Sequence, residues 1–259
     1  MINLEKARET FQEFVKTYNQ NDEMIQLKIE HTYRVCEYSK KIADSIHLSK
    51  NETNLAIVIA LLHDLGRFEQ VKMYHSFSDF NIDHAALGIK MLFQKRMIRN
   101  FLEEDQYDEV IHAAILNHNR LNVDDSLNEE QKLFSKILRD ADKMDIYYVK
   151  LQYPSSITDG NYQRNNEIDH ISEAIITSIN KQQCINRKDC NSRIDRNLIC
   201  VGFVFDLNFP YSFSHIKNNH YINWIIANID TNDQNIITQL KRIEKIIDGY
   251  IDTRIKEYE

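Results

Sequence analysis

Leu61-Leu62-His63-Asp64-Leu65-Gly66-Arg67 ends an apolar run in an imidazole and a carboxylate. A carboxylate in an apolar setting costs several kcal/mol or stays protonated unless a cation or hydrogen-bond donors meet it, in the range of about 2–7 kcal/mol for buried polar groups and more for charges. A bare His-Asp pair is common by chance, so the other helices decide its meaning. His31, His84, His118 and Asp140 each fall on a helix face that is otherwise apolar. One histidine in such a stripe is a core residue bonded to a carbonyl; several in succession ask for a shared partner. Four imidazoles and two carboxylates (Asp64 and Asp140) suit two adjacent divalent first-row ions bridged by a carboxylate, and iron, manganese, nickel, cobalt or zinc all fit. Calcium and magnesium want mostly oxygen.

The elements that must position these groups are legible from spacing. Leu27, His31, Val35, Tyr38, Ile42 and Ile46 lie within about 60° of His31 on a helical wheel, which turns His31 inward. Ser49 and Glu52 form a capping box ahead of Leu55, Ala56, Ile59, Ala60 and Leu62, predicting a helix that Gly66 stops, with His63 and Asp64 in its last turn. The negative end of that helix disfavours an unscreened carboxylate and favours a cation. Residues 68–82 show no clear period and read as a loop holding Tyr74, His75 and Phe77. His75 is a substrate-contact candidate there, with a plain surface role as the simpler reading. Asp83 caps a helix in which His84 shares a face with Leu87, Gly88 and Met91, and Gly88 costs about 1 kcal/mol against alanine unless helices approach closely there. In the stripe Tyr107, Ile111, Ala114 and Ile115, His118 lies about 20° from Ile111, whereas His112 is about 100° away and faces solvent or supports a ligand. Asp140 sits in the stripe Leu133, Ile137, Ala141 and Met144. Asp142 points to the opposite side; it and Asp145 either support the ligand histidines or serve as solvated or capping groups. Lys143 can reach a ligand phosphate or pair with an acid.

Taken in order, His31, His63-Asp64 and the distal Asp140 in Leu138-Arg139-Asp140-Ala141-Asp142-Lys143 resemble the signature of the HD-domain superfamily of metal-dependent phosphohydrolases. His84 and His118 occupy the places of the two extra histidines of its dinuclear members, and the resemblance spans about residues 27 to 150. It implies an all-α helical bundle around a metal site. The implied ligands are His31, His63, Asp64, His84, His118 and Asp140, with Asp64 and Arg67 in the catalytic machinery. Arg67 stands where some dinuclear members direct a lysine at phosphate; it keeps the charge and changes the geometry. The expected chemistry is hydrolysis of a phosphoester or phosphoanhydride of a small nucleotide by metal-activated water, with Arg67, Lys143 and His75 as substrate-binding candidates. The order is also that of bacterial HD-type diadenosine tetraphosphate hydrolases, which brings dinucleoside polyphosphates into consideration. The alternatives are a di-iron oxygenase on the same fold and a nucleotide sensor without turnover.

Composition bounds the rest. The 259 residues carry a formal charge of −7, 27% charged and 42% hydrophobic residues, with only 5 glycines and 2 prolines. Scarce turn residues favour long helices over a sheet, and the acidic balance argues against stable binding to nucleic-acid backbone. Cys36, Cys184, Cys190 and Cys200 form no Cys-x-x-Cys pair and suggest no disulfide framework. Neither a signal-peptide core nor a run of membrane-spanning length is read, so the expected location is the cytoplasm, with no membrane partner. Residues 1–150 are assigned to the metal-binding helical core. Residues 151–259, after Tyr153-Pro154-Ser155-Ser156 and the Asp159-Gly160 turn, are assigned to a helical region packed on it as one compact unit. The stripes Ile168, Ile171, Ile175, Ile179 and Ile236, Leu240, Ile243, Ile247, Tyr250, Ile255 serve a core or a homodimer equally well.

Overall fold

Helix α3 (Lys50–Leu62) is the post on which the first part of the chain is built, because every residue from Thr53 to Leu62 is buried. A helix apolar on all sides must be covered on all sides. Helices α1 (Leu4–Val15), α2 (Glu23–Ser45) and α7 (Asp108–Asn117) pack against it. The computed structural model describes residues 1–153 and 169–257, and among these every regular element is helical. The fold is all-α.

Local chemistry sets the helix starts. Asn3 accepts from Lys6 N, Asp22 from Met24 N and Asp83 from Ala86 N, while Ser49 and Glu52 form the reciprocal box read from the sequence. Such caps are each worth about 1 kcal/mol. Phe11, Phe14, Tyr18, Tyr33 and Phe68 make an aromatic cluster with ring centroids 5.1–6.0 Å apart, which fixes α1 over α2 and α4 (Leu65–Tyr74).

The break after α3 differs from the sequence reading in an instructive way. Gly66 does not end a helix; it lies in the first turn of α4, so residues expected to be loop are helical through Tyr74. A Cβ on Gly66 would lie 2.1 Å from His84 O and 2.8 Å from Gly88 N, so glycine here lets α4 cross α5 (His84–Ile89) almost backbone to backbone. Gly88 faces the same crossing with more room, its nearest neighbour being Gly66 N at 3.4 Å. The crossing brings His84 close to the end of α3. Helix α5 then runs on as a π turn, Lys90–Gln94, and is followed by α6 (Ile98–Phe101).

The described residues divide into two compact units, Met1–Asp145 and Ile146–Tyr153 with 169–257. Helix α8 (Glu129–Gln152) begins in the first and ends in the second. In the second unit, α9 (Glu173–Asn180), α11 (Pro210–Asn218) and α12 (Tyr221–Ala227) pack on α13 (Gln234–Lys256). Helix α10 (Arg193–Gly202) packs on α9 and α12. Ile236, Leu240, Ile243, Ile247 and Ile251 of α13 are buried within this unit, as are Ile175 and Ile179 of α9. Pro154, the Asp159-Gly160 turn and Ile168 lie outside the described residues.

Candidate metal centre

Asp64 is the N-cap residue of α4, a position whose carboxylate ordinarily accepts from the first turn's N–H groups. Its side chain makes no such bond. It turns instead into a cluster of imidazoles, with each oxygen facing a different pair. Oδ2 is 3.5 Å from His31 Nε2 and 3.4 Å from His63 Nε2. Oδ1 is 3.4 Å from His84 Nε2 and 3.7 Å from His118 Nε2. Asp142 Oδ1 closes the first side, 3.2 Å from His31 Nε2 and 3.9 Å from His63 Nε2. All four histidines and Asp64 are 4% exposed or less, so solvent does not explain their arrangement.

Every ring is held from behind. His63 and His118 direct Nδ1 to the carbonyls of Ala60 and Ile115, three residues back in their own helices, at 2.7 and 2.6 Å. A carbonyl only accepts, so Nδ1 carries the hydrogen and Nε2 presents a lone pair. His31 Nδ1 meets the fully buried Asp145 at 2.6 Å, and Arg34 grips the same carboxylate. His84 Nδ1 meets Asp79 at 2.7 Å. A carboxylate or carbonyl behind each ring is the arrangement that orients metal-ligating histidines and raises their basicity. His63 Nε2 and His31 Nε2 are buried without a hydrogen-bond partner, an arrangement costing about 1–3 kcal/mol per group. His84 Nε2 and His118 Nε2 stand 2.9 Å apart. Donor atoms about 2.1 Å from one ion lie about 3.0–3.4 Å apart at right-angled to tetrahedral geometry; the His31–Asp142, His63–Asp64 and His84–Asp64 pairs, at 3.2–3.4 Å, fall in that range, and the other Nε2–carboxylate pairs, at 3.5–3.9 Å, lie just outside it. His31, His63 and Asp142 form one group able to hold a metal, and His63, Asp64 and His118 another.

The charges are mutually supporting. Burial acts to raise the Asp64 carboxyl, but Lys28, His63, His118 and His31 outweigh it and hold it well below the usual range. Asp142 is likewise held low, by His31, His63 and His118 against burial. Burial and Lys28 push His31 down, yet Asp142, Asp145 and Asp64 prevail and carry it up to about 10. Burial and Arg67 hold His84 down at about 4, so it is neutral, the ligating form, at neutral pH.

The structure brings His31, His63, Asp64, His84 and His118 together. The carboxylate that joins them from α8 is Asp142 and not Asp140, which is fully buried in the same helix. Leu138, Arg139, Asp140, Ala141, Lys143, Met144 and Asp145 are all buried, so α8 is covered on more than one face and a single apolar stripe does not identify the side facing the histidines. Arg139, 1% exposed, donates to the carbonyls of Asn117, His118, Arg120 and Leu121 and so caps the end of α7 that carries His118. Arg67 lies beside the cluster, Nε 3.8 Å from Asp64 Oδ1, while its NH1 donates to Gln70, Phe77 O and Asp79. Lys143 is buried next to Asp142. His75 ends α4 in a left-handed conformation with its side chain 71% exposed, 3.5 Å from Asp22, outside the cluster.

Two participants escaped the sequence reading. Lys28 Nζ lies 2.6 Å from Asp64 Oδ2, a resident cation on the central carboxylate. Its place three residues before His31 on the same helix is the signal that could have revealed it. Asp79 was hidden in a segment without period.

Residues 29–147 match the family model described as HD domain. That segment is similar to HD domains, a superfamily of metal-dependent hydrolases built on an all-α fold. No curated protein and no solved structure matches the chain. Among the described residues no helix is long and apolar enough to cross a membrane.

Proposed function

We propose that this protein is a phosphohydrolase that binds two divalent transition-metal ions and cleaves a phosphoester or phosphoanhydride bond of a small nucleotide-like substrate. The observation that supports this most is the division of Asp64, with Oδ2 turned to His31 and His63 and Oδ1 to His84 and His118. His31, His63, Asp142 and Asp64 Oδ2 would hold one ion, and His84, His118 and Asp64 Oδ1 the other. Bound ions of this kind lower the pKa of water toward neutrality and polarise a phosphoryl oxygen.

The chain's own residues supply the remainder. Asp64 sets the separation of the two sides, and the Nδ1 bonds to Ala60, Ile115, Asp145 and Asp79 keep the rings from turning as charge builds. Arg67 keeps NH2 free of hydrogen bonds among the described residues while NH1 is anchored, so its free edge can meet phosphate oxygens. Lys28, whose ammonium lies on Asp64 Oδ2, is a second positive group for the same anion, and Lys143 a third. Burial of the cluster excludes bulk water and strengthens each of these interactions.

The test is a panel of nucleoside mono-, di- and triphosphates and dinucleoside polyphosphates, offered to protein loaded with Mn, Fe, Co or Ni. Release of phosphate or nucleotide that disappears in Asp64→Ala supports the reading. Full loading without release from any member contradicts it.

A further inference from the structure

Three of the four histidine rings are backed by rigid partners: His63 and His118 by their own helices, and His31 by a carboxylate locked against Arg34. His84 is backed differently. Asp79, on the segment between α4 and α5, gathers four donors at one oxygen: His84 Nδ1 at 2.7 Å, Arg67 NH1 at 2.9 Å, Gln70 Nε2 at 3.1 Å and His84 N at 3.4 Å. Arg67 and Gln70, one turn apart on α4, also bind the backbone around it. Arg67 NH1 reaches Phe77 O, and the fully buried Gln70 reaches Ser78 O and Ile82 O. One carboxylate oxygen therefore ties together the His84 ring, the guanidinium nearest Asp64 and the connecting segment.

We propose that Asp79 is a positioning residue through which Arg67 and the segment 75–83 control the His84–His118 side of the metal centre. This rests on the two-ion reading above. The physical basis is competition for one acceptor. While Arg67 shares Asp79, the carboxylate gives less to His84 Nδ1. When an anion on the free NH2 edge pulls the guanidinium toward itself, the NH1 bond to Asp79 weakens without needing to break, Asp79 gives more to His84 Nδ1, and His84 Nε2 becomes a better donor to an ion. Binding of phosphate at Arg67 and of an ion at His84 and His118 then reinforce each other, and the reinforcement is reciprocal. On the other side the His31 ring is backed by Asp145, which is fully buried and held through both oxygens by Arg34, whereas Asp79 meets Arg67 beside Asp64 through one oxygen.

The experiment measures ion uptake by calorimetry with Mn²⁺ alone, then with Mn²⁺ and inorganic phosphate, for the wild type, Asp79→Ala and Asp79→Asn. The expected wild-type result is two ions, the weaker one tightened by about 5-fold or more with phosphate present. In Asp79→Ala the first ion binds with wild-type affinity, the second about 10–100-fold more weakly, and the phosphate effect vanishes. Asp79→Asn keeps an acceptor without the charge, and is expected to fall between the two; it also serves if the alanine variant does not fold. Wild-type second-ion affinity or an intact phosphate effect in both variants overturns the inference and leaves the two-ion reading standing. A wild type that takes up no ion overturns both.

Discussion

The α4–α5 crossing gives a substitution pair with opposite expected signs. In Gly66→Ala the new methyl meets His84 O at 2.1 Å and Gly88 N at 2.8 Å, both backbone atoms that cannot rotate aside. Restoring ordinary contact requires the helices to part by about 1 Å, and overpacking of this kind costs about 1–3 kcal/mol. The better helix propensity of alanine returns about 1 kcal/mol at most, so the net is a loss of up to about 2 kcal/mol. In Gly88→Ala the nearest atom is 3.4 Å away, and the same propensity gain stands against almost no strain. The struck atom in Gly66→Ala belongs to His84, so separation of the helices also carries His84 Nε2 away from Asp64 Oδ1, now 3.4 Å distant. Urea unfolding followed by circular dichroism, with ion uptake measured on the same samples, reads both effects. Gly66→Ala is expected to have the lower midpoint and a weakened second ion, and Gly88→Ala a midpoint at or above wild type with uptake unchanged. Equal midpoints and equal uptake in the two variants would refute the reasoning.

Other expectations follow from the same geometry. Asp142→Asn removes a charge 3.2 Å from His31 Nε2 and is expected to weaken the first ion about 10-fold or more by calorimetry, whereas Asp140→Asn leaves ion affinity near wild type; the reverse ranking would return the ligand role to Asp140. Lys28→Met leaves Asp64 Oδ2 without its 2.6 Å ammonium, so the metal-free protein should lose about 3–5 kcal/mol, most of it recovered on adding Mn²⁺. A thermal shift on metal addition no larger than that of wild type would contradict this. With chelator present, His84, held near 4, makes stability fall as pH drops from 6.5 toward 4, because the unfolded chain takes up a proton there that the folded one does not. His31, carried up to about 10, contributes stability that is complete below 6.5 and lost between 6.5 and 10. The melting temperature of the metal-free protein should therefore peak near pH 6.5; a profile flat from 5 to 9 would count against both assignments.

How much of this the sequence discloses depends on how each residue is held. The all-α fold, the Ser49–Glu52 box and the inward faces of His31, His84 and His118 are legible because each rests on spacing within one helix, where a period of 3.6 residues decides direction. Asp142 is not legible that way. Its helix is buried on several faces, so the wheel that correctly sends Asp140 inward does not say which inward face meets the histidines. Gly66 misleads for a related reason. A glycine after an apolar run reads as a helix end, and only the tertiary crossing with His84 and Gly88 shows that the missing Cβ serves close approach. Asp79 has no local signature at all, since its partners His84, Arg67 and Gln70 converge on it from two helices.

The central claim is that imidazoles and acids scattered over the first 145 residues converge because two cations bind between them, and metal content tests it most directly. Protein prepared without oxygen, loaded with Mn²⁺ or Fe²⁺ and freed of excess, should retain two equivalents by elemental analysis. His84→Ala should retain about one and Asp64→Ala almost none, in line with one ion on each side of a shared carboxylate. Retention unchanged by both substitutions, or no retention in the wild type, would contradict it.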